Sequence, residues 1–202
     1  MPIEDGEKMF TVNSGFIGHF KTGDNINYNL NSLKVMYAAQ NTASPSDSLL
    51  LCKPITITLG SIIEALLHDL FFRIKNHTNE GVKNVAEKAL KDVRSKKLDQ
   101  LETYIASARK HDLLGAIGTG LYEQLDDLRR TRNRIHIQNV KNQKPLDEGK
   151  VFNLQKQKTI EQVLEKLLKH VSDKYIRPGD LQGFVDDFEL PWNEHFKTGS
   201  VS

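Results

Sequence analysis

Apolar side chains recur at three- and four-residue steps along three long stretches of the chain and at two-residue steps almost nowhere. Ile63, Leu66, Leu67, Leu70 and Ile74 line one face of a helix over 59–74. Leu121, Leu125, Leu128 and Ile135, with Ile117 ahead of them, mark the inner stripe of a second helix over 113–138. Gly115, Gly118 and Gly120 each weaken a helix by about 1 kcal/mol relative to Ala, which moves its start towards Gly120. Ile160, Val163, Leu164, Leu167, Val171 and Tyr175 define a third helix over 158–175, stopped by Pro178-Gly179. Shorter helices are expected over 27–40, 82–93 and 98–108. The segment Pro54 to Leu59 alternates, but the proline and the adjoining helix make it a helix lead-in rather than a strand. The expected fold class is all-α.

Between these stretches, residues 41–47 and 139–149 are rich in turn formers and read as loops. The resulting organisation is an irregular N-terminal arm with a short helix over 1–46, a helical domain over 47–177 and a C-terminal tail over 178–202. Phe184, Phe188, Leu190, Trp192 and Phe196 are too many large apolar groups for a free tail, so it is expected to dock on the bundle or on a partner.

Composition narrows the function classes. The 28 Lys+Arg against 26 Asp+Glu exclude a histone-like polycation and an acidic disordered chain. One cysteine, Cys52, makes neither an internal disulfide nor a zinc knuckle and is expected to be a buried structural thiol. Residues 1–8 carry three acids and do not read as a signal peptide. The stretch 62–72 is too short and too interrupted to span a bilayer, and a cytoplasmic location is expected. His68, His77 and His111 are scattered without a metal-ligand spacing. There is neither a Gly-x-x-x-x-Gly-Lys loop nor a Gly-x-Ser-x-Gly elbow, so no cofactor and no metal are expected.

The charge is unevenly placed. Residues 129–144 hold six basic side chains and no acid; removing those six from the 28 leaves 22 basic against 26 acidic side chains elsewhere. At about 100° per residue, Arg132 falls on the apolar stripe of its helix, whereas His136, Arg129 and Asn133 follow along one edge. Arg130 and Arg134 fall on the opposite face and are expected in solvent. A guanidinium on an apolar stripe needs an acid, for instance Glu64, or an open cleft. Arg supplies a forked, permanently charged donor for phosphate, and His a proton-exchanging group near neutral pH.

The run Leu128-Arg-Arg-Thr-Arg-Asn-Arg-Ile-His-Ile137 resembles the signature of HEPN domains, in which an Arg is followed by four to six residues and then His, often with a polar residue directly after the Arg. The resemblance spans about 53–175 and takes in Glu64 on an earlier helix. Arg132 precedes Asn133 but only three residues separate it from His136, whereas Arg129 and Arg130 have the family spacing. The resemblance implies a helical bundle that binds RNA, and a metal-independent endoribonuclease of toxin or antiviral-defence type. It implies His136, Arg132, Arg129 and Asn133 as the site, with Glu64 supporting. It further implies a homodimer with the Arg/His helices at the interface, and an antitoxin protein as partner. A non-catalytic dimerisation or nucleotide- or protein-binding module is the alternative. A third reading makes 128–137 a basic helix end that complements the helix dipole, with Arg132 paired to an acid inside one subunit.

Overall fold

A computed structural model describes residues 10–77, 82, 84–116, 118–135 and 147–196. The chain is mostly helical: α1 (Phe20–Thr42), α2 (Pro45–Asn76), α3 (Glu87–Arg94), α4 (Leu101–His111), α5 (Leu121–Arg132), α6 (Glu148–Val151) and α7 (Leu154–Lys174). One departure from all-α is a small antiparallel sheet. Strand β1 (Phe10–Val12) pairs with β2 (Phe188–Leu190), Thr11 opposite Glu189.

Helix α2 is the centre of the bundle, with α1, α3, α4, α5 and α7 packed against it. It starts where Ser44 caps the backbone N–H of Asp47 and Pro45 occupies the first turn, and it ends beyond Arg73 and Lys75 in its last turn. Pro54 lies inside this helix rather than at its head. Its missing N–H would have bonded Leu50, and both residues are exposed, so water can satisfy the vacated carbonyl. Over 18 residues α2 reaches a mean hydropathy of 1.6, enough by length and composition to cross a bilayer. Its side chains Ile55, Leu59, Ile62, Ile63, Leu66, Leu67 and Leu70 are instead taken up by the protein core.

The same core reaches both ends of the described chain. Val12, Phe16, Ile26, Leu30 and Leu33 share it with Phe188, Leu190 and Trp192. Helix α1 is longer than the spacing of its apolar residues predicts, because of its aliphatic side chains only Ile26, Leu30 and Leu33 are fully buried, while Phe20, Tyr28 and Val35 stay exposed. Residues 184–192 run back over α1, and residues 194–196 meet α7. Ser14 N–H donates to Asp187 (2.8 Å), and Lys34 pairs with Glu189 (2.7 Å). The buried Glu165 carboxylate accepts the backbone N–H groups of His195 and Phe196, each at 2.9 Å. Cys52 is buried, and burial pushes its thiol pKa up.

The glycine cluster 115–120 is punctuation between α4 and α5. Gly115, Gly118 and Gly120 all have positive φ (57°, 81° and 77°), a conformation that L side chains resist, and α5 begins directly after Gly120. Ile117 lies outside the described residues.

Candidate functional site

The site grows from the contact of α5 with α2. A Cβ added at Gly60 would stand 3.2 Å from Leu128 Cδ1 and 3.7 Å from Arg132 Cδ, so the bare backbone there lets α5 lie close. Leu121, Leu125 and Leu128 are buried by this packing, as their spacing predicts. The stem of Arg132 follows them across α2, and its head meets Glu64 one turn beyond Gly60.

Arg132 Nη2 and Glu64 Oε2 are 2.5 Å apart, with the side chains 32% and 27% exposed. The pair is therefore a lip of the surface and not a core bridge. Arg129 stands one turn earlier on α5. It donates to Glu102 at the start of α4 (3.2 Å) and lies 3.9 Å from Asp126. Asp126 also holds Arg109 of α4 at 2.7 Å. Three guanidinium groups and three carboxylates thus stitch α2, α4 and α5 together along the length of α4.

Beyond Arg132 the α-helix ends and Asn133–Ile135 form a 3₁₀ turn. An angle extrapolated along the α-helix axis loses its meaning there, and two expectations are overturned. Arg134, expected in solvent, is 7% exposed, and Ile135, expected on the inner stripe, is 50% exposed. Arg130 is exposed as expected, and Asn133 is exposed at the helix end. His136 and the basic residues Lys141 and Lys144 lie outside the described residues. The structure therefore brings Arg132 and Glu64 together, places Arg129 beside them on separate acids, and leaves Asn133 on the rim.

Next to the Arg132–Glu64 pair the surface opens into a groove of about 330 Å³. Thr22 and Asn25 of α1 form one wall, Ser61, Glu64 and His68 of α2 the floor, and Tyr104 of α4 with Asp99 the other wall. Burial, with the charges of Glu64 and Asp99 adding to it, raises the Tyr104 pKa. His68 was not among the expected site residues. It stands four residues after Glu64, so the two project from one face of α2, and that spacing was the available signal. Tyr104 and Asn25 come from elements with no such local cue.

Among the described residues no group of three or more His, Cys, Asp or Glu side chains is placed to hold a metal ion. What the arrangement offers chemically is a partly exposed guanidinium oriented by a carboxylate, at the edge of a groove whose walls carry acids, an amide, hydroxyls and rings. The chain matches no family model, and searches of curated proteins and of solved structures give no match either.

Proposed function

We propose that this is a HEPN-like RNA-binding protein acting as a metal-independent endoribonuclease of the toxin or antiviral-defence type. The observation that carries the reading is Arg132: a guanidinium about one-third exposed and held by Glu64, a residue that also lines an open groove. A guanidinium in that state is oriented yet accessible to a phosphate.

In the proposed reaction His136 takes the proton from a ribose 2′-OH, and the 2′ oxygen attacks the adjacent phosphorus. The bond from phosphorus to the 5′ oxygen breaks, and that oxygen leaves as a hydroxyl by taking the proton that His136 carries. Arg132, with Arg129 behind it, stabilises the extra negative charge of the phosphorane. Asn133 hydrogen-bonds the phosphate from the helix end. The products are a 2′,3′-cyclic phosphate and a 5′-OH, and DNA is not cut. The proposed active form is a cytoplasmic homodimer with two Arg/His helices facing each other, restrained by an antitoxin protein.

The test is incubation of the protein with total RNA in EDTA. Cleavage that leaves 2′,3′-cyclic phosphate ends and is lost in the Arg132→Ala, His136→Ala double variant is the expected result. Full cleavage by that variant overturns the reading.

A second reading is favoured by the same ion pair. Arg132 meets Glu64 within one chain, as expected of a basic helix end that complements the helix dipole. In that case the protein associates with RNA in a salt-dependent way or not at all, and no product forms.

A further inference from the structure

From the groove beside Glu64 a line of aromatic rings runs out over the surface. Tyr104 and His68 are 6.1 Å apart between ring centroids, His68 and Phe72 6.3 Å, and Phe72 and His19 6.4 Å. The His19 ring stacks in turn on Phe20 at 5.7 Å. His68 and His19 are exposed, Phe72 is 37% exposed and Phe20 60%. His68 and Phe72 lie one helical turn apart with rings 26° from parallel, an arrangement that a further planar ring can extend.

The charges divide this surface in two. Glu64 and Asp99 line the groove and repel a phosphate from it, whereas carboxylates, Asn25 and hydroxyls suit the donor groups on base edges, such as the amino group of cytosine. The cationic side is the end of α5, with Arg132 paired to the groove residue Glu64 and Arg130 exposed two residues earlier. A volume of about 330 Å³ lies at the small end of ligand sites, which run from roughly 300 to 1,000 Å³.

We propose that the groove and the His68–Phe72 ring pair form a nucleobase subsite, in which an unstacked base of single-stranded RNA lies against the rings while Arg132 holds its phosphate. The proposal rests on the RNA-binding reading above and adds the substrate class. A duplex keeps its base faces stacked on one another and cannot present one to the ring pair. Stacking on exposed rings tolerates every base, and the acids of the groove favour bases that offer an amino group.

Binding separates this proposal from the cleavage reading when the probe lacks a free 2′-OH. The probe is a short fluorescein-labelled oligonucleotide of 2′-O-methylcytidine, compared by anisotropy with an abasic oligonucleotide carrying the same phosphates. The wild type should bind the base-bearing probe at least about tenfold more tightly than the abasic one, the scale of a single base–ring stack. The His68→Ala, Phe72→Ala variant should erase that difference and keep the abasic affinity. Arg132→Ala should weaken both probes alike. His68→Phe, which keeps a planar ring, should retain the preference and serves as the folding control. Equal affinity of the wild type for both probes, or an unaltered preference in the double alanine variant, overturns the subsite. So does a change of oligomeric state in that variant with its probe affinities unchanged, which would make the ring face a contact between copies of this chain. Base-dependent binding without cleavage of unmodified RNA leaves the subsite standing and removes the ribonuclease reading. Cleavage by the wild type without base-dependent binding does the reverse.

Discussion

Arg73 and Asp69 form an ion pair sealed from solvent, with Nε 3.1 Å from Oδ2 and side-chain exposures of 0% and 1%. Asp69 also accepts the backbone N–H groups of Gly18 and His19, just ahead of α1, and Arg73 donates to the Tyr175 carbonyl at the end of α7 (2.9 Å). One pair thus ties the start of α1 and the end of α7 to the middle of the bundle.

Removing one member should cost far more than removing both. Asp69→Ala leaves a buried guanidinium without its counter-charge and should destabilise the protein by about 3–5 kcal/mol. Asp69→Ala combined with Arg73→Met removes both charges and should recover part of that loss. Urea unfolding of the single and double variants checks this.

Arg132 should behave in the opposite way. Its pair with Glu64 is part-exposed, so Arg132→Ala should shift stability by no more than about 1 kcal/mol. Under the ribonuclease reading the same change should lower the RNA cleavage rate about 100-fold or more, as loss of one transition-state donor does. A large loss of stability in a thermal melt would mark the pair as structural instead.

Gly23 illustrates a glycine held by close approach rather than by backbone conformation. A Cβ there would stand 2.5 Å from Val185 Cγ1, in the segment that returns over α1. Gly23→Ala improves helix propensity but should still destabilise by roughly 1–3 kcal/mol through overpacking. Faster proteolysis within 184–196 should accompany the lower melting temperature.

Stability should fall in acid through Glu165. Burial alone would raise its pKa, but the N–H groups of His195 and Phe196 and the Lys169 ammonium together hold it below the usual value. The folded state therefore prefers the carboxylate. Its contribution is complete above the ordinary pKa of 4.5 and is lost as pH falls through the lower folded value. Melting temperatures of wild type and Glu165→Gln should differ at neutral pH and converge in strong acid.

Periodicity located α2, α5 and α7 because a helix with one buried face writes its period into the sequence, as Leu121, Leu125 and Leu128 do. It failed where the deciding contacts are distant. Phe10–Val12 and Phe188–Leu190 are three residues each, too short to show alternation, and each is a strand only because the other is there. It failed at Arg134 and Ile135 because the helix stops at Arg132. The Arg132–Glu64 partnership was legible, since a guanidinium on an apolar stripe needs an acid and Glu64 stood on the other amphipathic helix. His68 has no second histidine at a metal-ligand spacing, and its part in the groove comes instead from sharing a face of α2 with Glu64.

The pairing of β1 with β2 also sets an order of events. Phe10–Val12 leaves the ribosome ahead of α1 to α7, and its partner Phe188–Leu190 follows after α7. The emerging chain can assemble α1 to α7 in turn, but β1 stays without its partner strand until residues 188–190 have been made. This clasp can close only after α7 has been made, and a chain interrupted before residue 188 lacks it.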